Sequence, residues 1–250
     1  WASELTVTTG ANLVSAGNAA QAERRAASGD TPQFALDVSA LGGMYAGKIT
    51  MTGTEKGVGV RVAGYMGAAV GEAVITADGR LENSGRIVAA QRLTLNADSI
   101  DNRSCGEIAA GHTDITATTL TNRGRIDGSQ TQLRATTLNN AGTGKIYGDS
   151  LQINAGTLNN REEDGSSAVI AARESLLIGA GQIDNREHSL IYSGGDMAIG
   201  GNVDSSGQLT GSAARVDNTG ATLESAGSMQ LSVATLNNRN PDFATHIVEI

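Results

Sequence analysis

The residues best equipped for chemistry are few and scattered. The 250-residue chain holds three histidines, His112, His188 and His246, and one cysteine, Cys105. The histidines fall at unrelated places and none shows a zinc-ligand spacing. Cys105 precedes Gly106 with no histidine nearby, which reads as a tolerated turn residue rather than an activated thiolate. The one dense acidic run is Glu162-Glu163-Asp164. Glycoside cleavage needs two carboxylates held apart across a groove, and one run within a turn does not supply them. Sugar grooves also use aromatic platforms, yet aromatics are 3% of the chain and Trp1 is its only tryptophan. Phosphate loops and dinucleotide fingerprints are absent from the sequence. The expectation is a non-enzyme with no cofactor and no metal.

Two polar series carry more order. An aliphatic residue, any residue and then asparagine recur, ending at Asn83, Asn102, Asn122, Asn140, Asn160, Asn185, Asn218 and Asn238. Subtracting successive numbers gives 19, 20, 18, 20, 25, 33 and 20. A stacked asparagine can bond its counterpart, because its amide both donates and accepts. The alternative is a row of amides facing a ligand, and the structural ladder is the commoner arrangement in repeat architectures. Arginine follows the asparagine at Arg103, Arg123, Arg161, Arg186 and Arg239. Such a row could bind an anionic glycan, or form a solvated turn column paired with nearby carboxylates, the commoner arrangement.

These series need elements that repeat with them. Seven positions before the asparagine stand Leu95, Ile115, Leu133, Ile153, Ile178 and Leu231, and five before it Ala97, Ala117, Ala135, Ala155, Ala180, Ala213 and Val233. After it come pairs such as Ile87/Ala89, Ile108/Ala110, Ile126/Gly128, Ile146/Gly148 and Ile170/Ala172. Apolar positions two apart are strand periodicity. Strands this short are unstable alone, so stacked coils must bury them. A unit of about 20 residues predicts an all-β, parallel β-helix solenoid, right-handed by the usual crossover preference. Glycine at 33 of 250 residues suits frequent turns, and few aromatics suit a narrow interior. Residues 74–250 are read as the repeat region and 1–73 as a β-helix-like linking segment with a loop-rich start. Insertions are expected near 161–168 and 186–215, the latter a degenerate coil or a projecting loop, and excursions of this kind can carry binding.

Net charge is −8 with only three lysines, which argues against a nucleic-acid partner. The apolar stretch 57–75 contains Arg61 and Glu72 and alternates as a strand does. The sequence begins at Trp1 without a signal peptide, so a piece of something longer is expected.

The phrases Thr119-Leu120-Thr121-Asn122-Arg123-Gly124-Arg125-Ile126 and Thr157-Leu158-Asn159-Asn160-Arg161 resemble the haemagglutinin repeats of filamentous-haemagglutinin-type exoproteins. The run from Leu36-Asp37-Val38-Ser39-Ala40-Leu41-Gly42-Gly43-Met44-Tyr45 to Gly57-Val58-Gly59-Val60-Arg61 resembles a linking segment of adhesins and CdiA-type contact-dependent-inhibition exoproteins. The resemblance covers roughly residues 34–240. It implies a Gram-negative surface protein, exported by an outer-membrane two-partner-secretion transporter, whose long right-handed β-helix extends from the cell. Adhesion to a host or neighbouring-cell receptor or glycan, or display of a remote toxin, is the role implied. The secretion domain's Asn-Pro-Asn-type motifs are missing, since the only Asn-Pro is Asn240-Pro241. The segment is therefore expected to be shaft and monomeric, with export handled by a region outside it.

Overall fold

A computed structural model describes residues 2–15, 18–26, 29–241 and 243. Trp1 and His246 lie outside the described residues. Among those described, all regular structure is strand. Parallel strands stack about 21 residues apart into a β-solenoid of about ten turns. With a rise of about 4.8 Å per turn, the axis is about 48 Å long.

Each full coil carries three ladders. Residues 107–110, 112–117 and 119–122 pair in parallel with 125–128, 130–135 and 137–140 of the next coil. Alternation points one set of side chains inward in each ladder. Ile87, Ile108, Ile126, Ile146, Ile170 and Ile191 form one column. Ile75, Leu95, Ile115, Leu133, Ile153, Ile178 and Ile199 form the second. Val60, Leu81, Ile100, Leu120, Leu138, Leu158, Ile183 and Val216 form the third. All are buried and belong to one continuous core. Each such side chain contributes about 1.5–3 kcal/mol of burial, which offsets the ordering of its short strand.

Two threonines interrupt one of the core's columns. Thr113 and Thr131 occupy the column held by Leu93 above and Leu151 below, and both are fully buried. Their hydroxyls donate to the carbonyls of Asp127 and Tyr147, each at 2.8 Å. The burial is tolerated because each hydroxyl keeps a partner.

The turn before the first ladder needs glycine for space. A Cβ on Gly124 would lie 2.2 Å from the Gly106 carbonyl oxygen and 2.8 Å from Nδ2 of Asn102. The backbone of one coil therefore rests directly on that of its neighbour.

The start of the chain leaves the simple order. Strand Ala2–Thr9 pairs in parallel with Gly43–Gly53, skipping the residues between. Asn12–Ser15 and Asn18–Arg24 form an antiparallel hairpin in that interval. From Phe34–Val38 onward the parallel pairing runs on through Glu72–Asn83 into Arg86–Asn102.

The second insertion combines both anticipated forms. Leu190–Ser193 and Asp196–Gly200 are ordinary coil strands on Val169–Arg186. The extra residues form an antiparallel hairpin, Asn202–Val203 with Leu209–Thr210. It lies back on the shaft: Asn154 Nδ2 donates to the Val203 carbonyl at 2.9 Å, and Val203 is 4% exposed. Gly179 makes room, since a Cβ there would meet the Asn202–Val203 peptide at 2.4 Å.

Candidate functional site

All eight asparagines stack at the end of the third ladder. From Asn83 to Asn238 each Nδ2 donates to Oδ1 of the next, at 2.7–2.9 Å throughout. The other amide hydrogen is also used. Asn83, Asn102, Asn122, Asn140, Asn160 and Asn185 donate to the carbonyls of Glu107, Arg125, Lys145, Val169, Leu190 and Thr222, at 2.9–3.3 Å. This second bond fixes the orientation of each amide. Asn83 through Asn160 are fully buried, and Asn185 and Asn218 nearly so. Asn238, at the far end of the series, is exposed.

The column extends further than its asparagines. Val62 pairs with Asn83, and Val38 with Val62, so two apolar residues occupy the same place in the earlier coils. A pattern defined by asparagine cannot reveal them, although Val60-x-Val62 keeps the two-residue spacing.

The arginine row is interrupted and largely occupied. Ala141 and Thr219 take its place in two coils. Arg103 pairs with Asp101 at 3.1 Å and Glu82 at 3.3 Å. Arg123 grips both oxygens of Glu163, with Nη2 2.9 Å from Oε1, and lies 4.0 Å from Asp101. Arg186 bonds Asp184 beside it. Arg161 and Arg239 are exposed. The guanidinium hydrogen bonds raise Arg123 and Arg186 above the usual arginine range. By the same contact Arg123 holds the Glu163 carboxyl below the usual carboxylate range, with burial opposing and the charges of Arg123 and Arg161 reinforcing.

Glu163 sits in the first insertion, a tight reversal in which the backbones of Glu163 and Ser166 bond each other at 3.0 and 3.1 Å. Asp164 and Gly165, at φ 52° and 72°, supply its left-handed corner. The turn folds back across two coils, since the Gly142 amide donates to the Arg161 carbonyl and Arg123 lies one coil beyond. The pairing of Arg123 with a residue 40 positions away leaves no trace in local spacing.

The remaining candidates stay apart. His112 is half-buried on an outer strand face, and His188 is exposed at φ 62° in a turn. Cys105 is an exposed free thiol. Among the described residues no three His, Cys, Asp or Glu side chains gather to hold a metal ion, and no helix is long and apolar enough to cross a membrane.

Comparison with known proteins agrees with this geometry. The haemagglutinin repeat family matches residues 2–85, 68–197 and 177–249. A protein named Toxin CdiA from Yersinia pestis is 51% identical over 105 residues, covering 40% of this chain and 3% of its own length. A tRNA nuclease CdiA-2 from Burkholderia pseudomallei strain 1026b is 43% identical over 90 residues, 36% of this chain and 3% of its length. A tRNA nuclease CdiA from Escherichia coli strain STEC_O31 is 45% identical over 80 residues, 32% of this chain and 2% of its length. The chain thus spans only a few hundredths of these relatives. No solved structure matches it. The chain belongs to the haemagglutinin repeat family and is a filament segment of the secreted, cell-surface exoproteins of filamentous-haemagglutinin and CdiA type.

Proposed function

We propose that this segment is a structural shaft, which sets the distance between the cell surface and groups carried elsewhere on the parent protein. The observation that carries this reading is the unbroken asparagine ladder, which joins successive coils along one axis. The column is structural in this reading, and the arginine row is a turn column paired with carboxylates. Residues 1–73 serve as the linking segment and 74–250 as the repeated shaft. Export through an outer-membrane two-partner-secretion transporter uses a region outside this segment, and right-handed winding accompanies it.

Of two parent roles, adhesion or toxin display, the second has the more specific support, in relatives named as toxin and tRNA nuclease CdiA. Any nuclease chemistry belongs to another part of such a protein.

Coil number is the variable to test. Duplicating residues 103–160 in this chain adds three coils and should lengthen the particle in solution scattering by about 14 Å at constant cross-section. Growth in all directions would refute the shaft. Deleting the same coils from the full parent separates the roles. Loss of growth inhibition towards neighbouring cells, with the toxin still active when made inside a cell, supports display. Loss of attachment to a receptor or glycan, with no inhibition to lose, supports adhesion.

A further inference from the structure

We propose that residues 162–167 form a strap with two positions: latched to the shaft while Arg123 holds Glu163, and released, with Arg123 passed on to Asp101, when Glu163 takes up a proton. Among the described residues, every hydrogen bond from this stretch to another coil comes from the Glu163 carboxylate, and each goes to Arg123. The remaining bonds are internal, between the backbones of Glu163 and Ser166. The corner stands clear of the shaft, since a Cβ on Gly165 would meet nothing within 4 Å. Just before the strap, the Arg161 carbonyl accepts from the Gly142 amide at 3.1 Å. One guanidinium is therefore the polar anchor of the whole turn.

The receiving seat is already built. Asp101 Oδ2 is taken by Arg80 at 2.6 Å and by Arg103 at 3.1 Å, whereas Oδ1 is enclosed and has no hydrogen-bond partner. Arg123 meets Glu163 through Nε and Nη2, which leaves Nη1 facing that oxygen at 4.0 Å. A move of about 1 Å closes this gap to a charge-assisted hydrogen bond. An enclosed carboxylate oxygen without a donor is costly, so the released position gains a bond that the latched one lacks. The pair it gives up is partly exposed and worth little more. The charge on Glu163 then chooses between the two positions.

The neighbouring charges set the direction. Arg123 and Arg161 face Glu163 as cations, and Asp164 lies close to Arg123. Glu162, Asp184 and Glu187 surround the same depression, with Arg186 bound to Asp184. Glu82 faces Asp101 across Arg80 and Arg103. The hydrogen bond from Arg123, reinforced by both cations, holds the Glu163 carboxyl below the usual carboxylate range. The strap is therefore down at neutral pH and lifts as pH falls through that lowered value. Once Asp101 is protonated as well, Arg123 has neither partner.

Amide exchange on the whole chain reads the strap. At neutral pH Glu163→Gln, a mimic of the protonated carboxyl, should speed exchange at Gly142, Glu163 and Ser166 about two- to fivefold, the range for one partly exposed ion pair, and leave residues 145–160 unchanged. The unaltered chain should gain the same acceleration only on acidification, after correction for the intrinsic rate. A mutant cycle reads the hand-over. Asp101→Asn should lower the thermal midpoint more in the Glu163→Gln background than in the unaltered chain, because Arg123 then relies on Asp101. The contacts of Asp101 with Arg80 and Arg103 are weakened in both backgrounds and cancel. Unchanged exchange at the three amides in Glu163→Gln would mean that something else holds the strap. An equal midpoint shift in the two backgrounds would mean that Arg123 is not passed on. Either result overturns the proposal.

Discussion

Replacing Asn140 with valine tests the ladder at its centre. Asn140 is fully buried, accepts from Asn122 at 2.8 Å, and donates to Asn160 at 2.8 Å and to the Val169 carbonyl at 3.0 Å. Valine removes all three bonds and leaves acceptors enclosed without these donors. Each stranded group costs about 1–3 kcal/mol, and the gained apolar burial returns about 1 kcal/mol. The expected loss is about 3–5 kcal/mol. Asn83→Val is the matched control. Asn83 donates to Asn102 and the Glu107 carbonyl, and in place of an amide from the coil before, where Val62 stands, it accepts at 3.2 Å from the Gly85 N–H, which keeps the Val62 carbonyl as a second partner. Its loss should be about 1–3 kcal/mol. Urea unfolding gives the global change. Amide exchange gives the local one, because coils couple chiefly to their neighbours and opening should concentrate around residues 125–170. Equal costs for the two variants, or a cost below about 1 kcal/mol at Asn140, would refute the account.

Three other outcomes follow from the same packing. Leu138→Ala opens a cavity in the third column, where Leu138 is fully buried, and should cost about 2–5 kcal/mol in chemical denaturation. Arg123→Ala removes an ion pair about one-third exposed on both sides and should cost up to about 1 kcal/mol at neutral pH. The folded Glu163 carboxyl is depressed, so the pair's contribution is present above the ordinary carboxylate range and is lost as pH falls through the lowered value. Melting curves of the two proteins should therefore converge on acidification, and a constant gap would contradict the pairing. Gly179→Ala should lift the hairpin from the shaft, speeding amide exchange at 202–210 while leaving 145–161 protected.

The inward columns were readable from sequence because one residue type recurs where one environment recurs. Ile126, Leu133, Leu138 and Asn140 mark a whole coil by themselves. Contacts that do not repeat were hidden. The seat of Ala2–Thr9 on Gly43–Gly53 skips part of the chain, and the hairpin at Asn202 is accommodated by a single glycine, Gly179. Thr113 and Thr131 carry strand-forming residues into the core, and only the carbonyls of Asp127 and Tyr147, supplied by the following coil, explain them. The arginine row was visible as a spacing, whereas its carboxylate partners depend on stacking. Glu163 reaches Arg123 only because an inserted turn folds backwards.

A stack of interchangeable coils has no built-in address: leaving out one turn and pairing with the next would bury nearly the same surface. Val62 below Asn83 marks where the ladder ends, the Asn83 Oδ1 there accepting from the Gly85 amide at 3.2 Å in place of an asparagine. Thr113 and Thr131 supply a second mark, since they stand in two successive coils of a column that Leu93 and Leu151 otherwise occupy. These exceptions let a periodic chain count its own turns, so exchanging residues 103–122 with residues 141–160 should cost more than the near-identity of their repeat patterns suggests.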